Sequence, residues 1–288
     1  MKNKDNAIIS SKIELLFEGR RLFKQCEHMI PEKMDNFLSS LRDLQLSIYF
    51  LDKYFEKTWY VNPNDLKYYW SEIFLSLNKI VPQKENLEYL VRDIRAYQRL
   101  EEGIRNLKDF SFINLPQVYH LKTCDVRLAR QLIARSANWS LREKHEYLQS
   151  WELYDLVSEV CDDLDDLNED LKTFNGNWIL LNISTIGLDT TISAYQNFGY
   201  FLSTRIEEWK SKLTSKRSAI PLVWARENLI HLHEKLNFYS SQKNIIAEIC
   251  ANSAVVTAHK SSICPRGIKT TIWLQRKNTY SLNSQVVF

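Results

Sequence analysis

Residues 140–173 have the sequence SLREKHEYLQSWELYDLVSEVCDDLDDLNEDLKT and follow one long helical pattern. The pattern begins with a capping box, because Ser140 is followed three positions later by Glu143. Apolar residues then recur at steps of three and four, at Leu153, Leu156, Val157, Val160, Leu164, Leu167 and Leu171. The pattern stops at residues 175–177, Asn-Gly-Asn, which break helices strongly. This segment therefore predicts a long helix with one face in the core.

Most of the remaining chain shows the same helical spacing. Six glycines and six prolines in 288 residues are few for a fold of many strands and tight turns. Further helices are predicted over about 37–55, 64–80, 84–108, 117–136, 178–213, 218–237 and 240–260, with an interruption near 184–187. We expect an all-α fold, a single large helical bundle of about eight to ten helices. Because no linker or repeat divides the chain, we expect one α-helical domain over 1–262 and an irregular C-terminal tail over 263–288.

Charge and composition argue against several classes of function. A formal net charge of +3 is too small to favour nucleic-acid binding. Residues 1–12 lack the apolar run of a signal peptide, and no stretch reaches the about 18 consecutive apolar residues that span a bilayer. The five cysteines have neither C-x-x-C nor zinc-type spacing and are typical of reduced thiols. We expect a cytoplasmic protein that is not transmembrane and binds no nucleic acid; a monomer and a homodimer both stay open.

The end of the long helix is strongly acidic, with Glu159, Asp162, Asp163, Asp165, Asp166, Glu169 and Asp170. On a helix, Asp162, Asp166 and Asp170 stack at i, i+4 and i+8, and like charges at that spacing destabilise it. At about 100° per residue, Asp163 and Asp170 lie beside the edge of the apolar stripe, whereas Asp162 and Asp166 lie nearly opposite its centre. Two explanations stay open. One is a solvent-exposed acidic face, and the other is a site for Mg²⁺, which prefers one or two carboxylates together with substrate phosphates.

An earlier predicted helix places two more carboxylates at the edge of the core. Its apolar stripe is centred on Ile48, and Asp52 and Glu56 lie one turn apart beside that stripe. Burial of an unpaired carboxylate is costly, so Asp52 needs a partner. That partner is either a Lys or Arg in a salt bridge or a metal ion shared with the aspartates of residues 162–170.

The predicted helix between these two acidic helices is basic and contains Lys122, Arg127 and Arg130. Arg127 and Arg130 share one side of it. Guanidinium groups bind phosphate through two parallel hydrogen bonds, so these residues are candidates for binding a phosphorylated substrate. For each of them, a solvent-exposed position or a pairing with the acidic helix is the alternative.

An all-α chain with two acidic helix motifs and basic residues between them resembles the class I isoprenoid synthases, which include polyprenyl diphosphate synthases, squalene and phytoene synthases and terpene cyclases. Residues 154–170 are similar to the second acidic motif of the prenyl and squalene synthase branches, where Asp162, Asp163 and Asp166 match a DDxxD. Residues 52–56 then resemble a reduced first motif of the form D-x-x-x-E. The chain departs from the family in lacking a doubled aspartate there, an N-D-x-x-S-x-x-x-E motif and a C-terminal Arg-Tyr pair.

The resemblance implies a Mg²⁺-dependent enzyme that ionises a prenyl diphosphate and releases pyrophosphate. In that superfamily facing helices hold Mg²⁺, which implies a metal-binding role for Asp52, Glu56, Asp162, Asp163, Asp166 and Asp170. The catalytic residues that neutralise the leaving pyrophosphate are then Lys122, Arg127 and Arg130. Aromatic rings would stabilise the carbocation, with candidates Tyr49, Phe55, Trp59, Tyr69, Trp70, Phe198 and Tyr200.

A terpene synthase or cyclase is the first expectation. The alternatives are a prenyltransferase that joins two isoprenoid units and a non-catalytic helical adaptor with an acidic binding ridge. The adaptor predicts that Asp52 is paired with an internal Lys or Arg, that the aspartates of 162–170 face solvent, and that no central cavity exists.

Overall fold

The computed structural model describes residues 2–27, 31–81, 86–105, 114–174, 176–214 and 216–263. These residues form fifteen helices that pack together, and they contain no strand. The predicted all-α class is therefore confirmed. Of the predicted tail over 263–288, all but the first residue lies outside the described residues.

The helices run in chain order as α1 (Lys2–Gly19), α2 (Leu22–Gln25), α3 (Pro31–Lys57), α4 (Pro63–Leu77), α5 (Leu87–Leu90), α6 (Arg92–Arg105), α7 (Leu115–Lys122), α8 (Cys124–Ser136), α9 (Leu141–Asp165), α10 (Leu167–Asp170), α11 (Trp178–Ile186), α12 (Leu188–Lys212), α13 (Lys216–Ser241), α14 (Lys243–Ala251) and α15 (Ala254–Ile263).

Helix α9 lies at the centre of the packing. It contacts α13 most extensively, and it also packs against α7, α8, α11 and α12. On its predicted apolar face Val157, Val160 and Leu164 are completely buried. The predicted capping box is present, because the Glu143 N–H donates to the Ser140 hydroxyl at 3.2 Å and the Ser140 N–H donates to the Glu143 carboxylate at 2.8 Å. Burial on several sides, rather than intrinsic propensity, stabilises a helix of this kind.

Three predicted helices are divided by short breaks. The breaks lie at Val91 between α5 and α6, at Thr123 between α7 and α8, and at Asp166 between α9 and α10. At each of them ψ is close to zero, with values of 8°, 11° and 4°, which interrupts the regular helix. The last break falls within the ladder of aspartates, where like charges destabilise the helix. Because each break occupies a single residue, the spacing of apolar residues barely changes and does not reveal it.

Helix α1 lies outside the helices that the sequence pattern predicts. No helix is predicted over residues 2–19, yet α1 covers them and packs against α3, with Ile13 and Phe17 buried.

The predicted interruption near residue 187 is confirmed at Gly187, where φ is +83°. Among the helices of the described residues, none is long and apolar enough to cross a bilayer.

Candidate functional site

A partly open cavity of about 190 Å³ lies between α1, α3, α6, α7, α8 and α9. Much of its wall is apolar and consists of Ile13, Leu16, Ile48, Leu51, Phe55, Ile94 and Val126. Six charged side chains of the described residues also line it, namely Asp52, Glu101, Asp125, Glu159, Arg20 and Lys122. Apolar walls with a few convergent polar groups are the usual form of a small-molecule site.

Asp52 is the clearest functional candidate among these groups. It lies on α3, one turn after Ile48, and its partly buried side chain lines the cavity. Its carboxyl group forms no hydrogen bond or ion pair with any residue that the structure describes. Burial, and then the neighbouring carboxylates of Glu101 and Glu56, raise the pKa of Asp52 well above its ordinary value. A carboxyl group with a shifted pKa in a cavity is a typical property of a functional site.

Glu101 reaches the cavity from α6 and is 1% exposed. Its carboxylate accepts a hydrogen bond from the Tyr97 hydroxyl at 3.2 Å and lies 3.9 Å from the Arg105 guanidinium. Burial raises the pKa of Glu101, and Arg105 and Tyr97 offset this only in part. Arg105 also donates to the carbonyl oxygens of Phe55 at 2.6 Å and Phe174 at 3.1 Å. These bonds join α6 to the end of α3 and to the segment after α10.

Lys122, the last residue of α7, is the central cation of the site. Its Nζ lies 2.5 Å from Asp163 Oδ1 and 3.5 Å from Glu159 Oε1. Burial lowers the pKa of Lys122, but the carboxylates of Asp163 and Glu159 outweigh burial and raise it above the ordinary value. The ammonium group therefore stays charged although its side chain is only 7% exposed.

Arg20, which follows α1, is the second cation of the cavity. Its Nη2 donates to Glu159 Oε2 and to Asp162 Oδ2, both at 2.7 Å. Its Nη1 donates to the carbonyl oxygen of Asp155 at 3.1 Å. Arg20 thus ties the N-terminal helix to the acidic end of α9.

Asp163 is enclosed by hydrogen-bond donors. The Tyr119 hydroxyl donates to its Oδ2 at 2.8 Å, the Trp178 N–H donates to the same oxygen at 3.3 Å, and Lys122 binds the other oxygen. Burial raises the pKa of Asp163 to about 6, against the opposing effect of Lys122. The Asn177 amide donates to the Asp163 carbonyl oxygen at 2.8 Å. Both carboxylate oxygens of Asp163 therefore already have protein partners.

The positions of the aspartates around α9 agree with the angular prediction. Asp163 is buried and Asp170 is partly buried, whereas Asp162 and Asp166 are exposed. Asp165 is also exposed and forms an ion pair with Lys235 of α13. The exposed members, Asp162, Asp165 and Asp166, line a separate cleft of about 610 Å³. Part of α1 and Arg20 line both this cleft and the cavity, so the two are neighbours.

The two acidic motifs meet at their C-terminal ends. Burial raises the pKa of Asp170; the hydrogen bond from Asn177 opposes this, and the Glu56 carboxylate contributes to the rise. The Phe174 N–H donates to the Glu56 carbonyl oxygen at 2.8 Å, and the Glu56 side chain pairs with Lys53 at 3.3 Å. The end of α3 and the segment that follows α10 are therefore in direct contact through the backbone.

Arg127 and Arg130 have partners away from the cavity. Arg127 donates to Asp93 at 2.7 Å and contacts His120. Arg130 is 1% exposed and donates to both carboxylate oxygens of Asp155, at 2.5 and 2.6 Å. Neither side chain is among the described residues that line the cavity. Their role towards pyrophosphate stays a prediction.

Only some of the aromatic residues predicted to stabilise the carbocation line the cavity. Tyr49 and Phe55 line the cavity. Phe198 is buried against Tyr119, with their ring centroids 5.8 Å apart, and Tyr200 is exposed. The remaining candidates, Trp59, Tyr69 and Trp70, do not line the cavity.

Four charged residues of the cavity lie outside the predicted site: Arg20, Glu101, Asp125 and Glu159. Glu101 carries a signal in the sequence, since it lies seven positions after Ile94 and three before Ile104, on the core face of its helix. Glu159 lies one turn before Asp163 in the acidic run. Arg20 carries no signal, because its partners depend on where α1 lies in the fold.

Neither the arrangement of metal-ligating side chains nor comparison with known proteins assigns a function to the cavity. Within the described ranges, no group of three or more His, Cys, Asp or Glu side chains is arranged to hold a metal ion by itself. Comparison of the chain with protein-family models, with curated proteins and with solved structures gives no match. The resemblance to isoprenoid synthases therefore rests only on the motifs in the sequence of this chain.

Proposed function

We propose that this protein is a Mg²⁺-dependent enzyme of the class I isoprenoid-synthase type, which ionises a prenyl diphosphate and releases pyrophosphate. The observation that carries the proposal is the unpaired carboxyl group of Asp52 in a cavity with apolar walls, beside Glu159 and Lys122. An ionised carboxylate in such a place is costly unless a cation accompanies it. A prenyl diphosphate with its metal suits the chemistry of this lining, because its head is charged and its chain is apolar.

The donor set of the two acidic motifs fits Mg²⁺. This ion takes oxygen ligands, usually from one or two carboxylates, with substrate phosphates and water as the remainder. One pair is Asp52 with Glu56, and the other is Asp166 with Asp170. After burial, part of the rise in the pKa of Asp52 comes from Glu56, and part of that of Asp166 comes from Asp170. A divalent ion would relieve this repulsion, and when bound it would supply charge that neutralises the diphosphate.

The other two predicted metal ligands have cationic partners already. Asp162 pairs with Arg20, and Asp163 pairs with Lys122. In our proposal these aspartates position the two cations, and the cations bind the pyrophosphate oxygens. Both Arg20 and Lys122 contact Glu159, so their positive ends lie close to one point at the cavity wall.

The apolar part of the cavity has its own role in the proposal. Side chains such as Ile48 and Leu51 exclude water from the carbocation, which would otherwise be hydrolysed. The rings of Tyr49 and Phe55 stabilise its positive charge through cation–π interactions.

A helical adaptor is the second candidate, and the exposure of Asp162, Asp165 and Asp166 favours it. Two observations favour the enzyme over the adaptor. Asp52 forms no ion pair or hydrogen bond with a Lys or Arg among the described residues, and a cavity lies beside it. A prenyltransferase would use the same site and differ in requiring a second isoprenoid substrate.

The test is release of inorganic pyrophosphate from geranyl, farnesyl and geranylgeranyl diphosphates, each with MgCl₂ and with EDTA. We expect magnesium-dependent release by the unmodified protein. Loss of a group that stabilises transition-state charge typically costs about 10²–10³ in kcat, so Asp52→Asn and Asp166→Asn are each expected to lower the rate by about that factor. A matched control is Asp189→Asn on α12, whose side chain is 72% exposed and pairs with a surface lysine, Lys243.

A binding measurement separates loss of chemistry from loss of substrate. Mg²⁺ with inorganic pyrophosphate is expected to raise Tm through linkage, and this rise is expected to disappear in Asp166→Asn but not in Asp189→Asn. Absence of pyrophosphate release with all three substrates, together with no magnesium-dependent rise in Tm, would contradict the enzyme. If, in that case, the protein binds a basic peptide and this binding requires Asp162 and Asp166, the result would support the adaptor.

A further inference from the structure

A second cleft, of about 450 Å³, lies beside α2 and the first half of α9, away from Asp52. Four aromatic side chains line it, Trp139, Tyr147, Trp151 and Trp224. Three cationic side chains line it as well, Arg21, Lys24 and Arg217, against the single carboxylate of Glu27. The predicted function uses none of these residues.

The four rings form a continuous row. The centroids of Trp139 and Tyr147 lie 4.9 Å apart, those of Tyr147 and Trp151 lie 6.3 Å apart, and those of Trp151 and Trp224 lie 5.8 Å apart. Tyr147 and Trp151 are buried, whereas Trp139 and Trp224 are partly exposed at the two ends of the row. The partly exposed rings of Trp139 and Trp224 are therefore the main aromatic surface that a ligand in the cleft would contact.

Arg21 lies against one end of this row. Its guanidinium carbon lies 3.7 Å from the centroid of the Trp224 ring, so the side chain is stacked on the indole. Its Nε is buried and has no hydrogen-bond partner among the described residues. The residue also adopts φ of +57°, which a non-glycine residue seldom does.

We propose that this cleft binds a small phosphate monoester that carries a flat ring, of the class of aryl phosphates and nucleoside monophosphates. The ring packs against the aromatic row, and the phosphate accepts hydrogen bonds from Arg21 and is neutralised by Lys24 and Arg217. The volume lies within the range of about 300–1,000 Å³ that is usual for small-molecule sites. This proposal stands independently of the isoprenoid-synthase proposal, because it uses a different cavity and different residues.

Isothermal titration of the full chain at fixed ionic strength tests the proposal, with AMP, phenyl phosphate, adenosine and inorganic phosphate as probes. AMP and phenyl phosphate are expected to bind at least about tenfold more tightly than inorganic phosphate or adenosine, because only they use both the cations and the rings. Equal affinity for phosphate and AMP would show a simple cationic patch and would overturn the proposal. Absence of AMP and phenyl phosphate binding would overturn it too.

Variants locate the binding. Lys24→Gln and Arg21→Gln are each expected to weaken AMP about tenfold, the usual effect of losing a hydrogen bond to a charged group. Trp224→Leu is expected to weaken it about fivefold or more through lost stacking. The matched control is Arg92→Gln, which removes an exposed arginine over Tyr89, at 5.4 Å, on a different helix.

Folding of each variant is checked by its thermal transition. Lys24 is exposed, so Lys24→Gln decides the question even if Arg21→Gln or Trp224→Leu unfolds. Asp52→Asn is expected to leave AMP binding unchanged, which separates this cleft from the cavity at Asp52. An AMP affinity that Lys24→Gln leaves unaltered, or that Asp52→Asn removes, would contradict the assignment.

Discussion

The ammonium nitrogen of Lys122 lies 2.5 Å from Oδ1 of Asp163. The sequence suggests a phosphate-binding role for the first residue and a metal-binding role for the second, and the structure pairs them with each other. The pair is buried on both sides, with side-chain exposures of 7% and 5%. Buried pairs of this kind are costly to break, because the remaining partner becomes an uncompensated buried charge.

Lys122→Met is expected to lower the free energy of unfolding by about 3–5 kcal/mol, measured by urea denaturation at pH 7. The comparison is Lys79→Met, which removes a lysine that lies 2.6 Å from Asp43 but is 55% exposed. An exposed pair contributes about 1 kcal/mol or less, so this control should change stability little. Similar losses for the two variants would show that burial does not determine the strength of the Lys122 pair.

Arg130 and Asp155 form a second buried pair, in which the guanidinium donates to both carboxylate oxygens. Each of Arg130→Met and Asp155→Leu is expected to lower the free energy of unfolding by about 3–5 kcal/mol. The double variant is expected to lose less than the two single losses combined, with a coupling of about 3 kcal/mol in a double-mutant cycle. Additive losses would contradict a direct structural partnership of the two side chains.

Asp52→Asn is expected to stabilise the protein at neutral and alkaline pH. The folded-state pKa of Asp52 is raised, mainly by burial, whereas an unfolded aspartate titrates near about 3.9. The ionisation penalty is therefore absent below about pH 4 and grows as the pH rises through the folded pKa. We expect equal Tm values for variant and parent near pH 4 and a higher Tm for the variant at pH 8. A shift of about 2–4 °C corresponds to about 1 kcal/mol in a large domain.

The pH series has its control in Asp189→Asn, an exposed aspartate on α12. The Tm of this variant at pH 8 is expected to equal that of the parent. A gain for Asp52→Asn that is the same at pH 4 and pH 8 would come from packing rather than from charge, and it would contradict the stated origin.

Gly187 and Gly103 offer a matched pair of substitutions. A Cβ at either position would meet no atom within 4 Å, so only backbone conformation distinguishes them. At Gly187 φ is +83° and ψ is 161°, a region that only glycine adopts readily. Gly187→Ala is expected to cost about 1–3 kcal/mol, whereas Gly103→Ala within α6 is expected to stabilise by about 0.5–1 kcal/mol. Equal effects in thermal unfolding would contradict this conformational explanation.

Local patterns predicted much of the fold and one part of the site. The apolar period of residues 140–173 predicted α9 and its buried face, and it separated the buried Asp163 from the exposed Asp162 and Asp166. The Ser140 capping box was readable for the same reason, since its two partners are three positions apart. The single-residue breaks at Val91, Thr123 and Asp166 were not readable, because they leave the period almost unchanged.

By itself the sequence determined the helical class, the buried stripe of α9 and the side of the helix on which each aspartate lies. These properties follow from neighbours within two turns of one helix. Only the tertiary structure decided which cation meets which acid: Arg20 with Glu159 and Asp162, Lys122 with Asp163, and Arg130 with Asp155. It also decided that Asp52 faces a cavity and forms no direct ion pair with any residue that the structure describes. The physical reason is that ion pairing depends on distances of a few ångströms between helices far apart in sequence, and helix packing alone sets those distances.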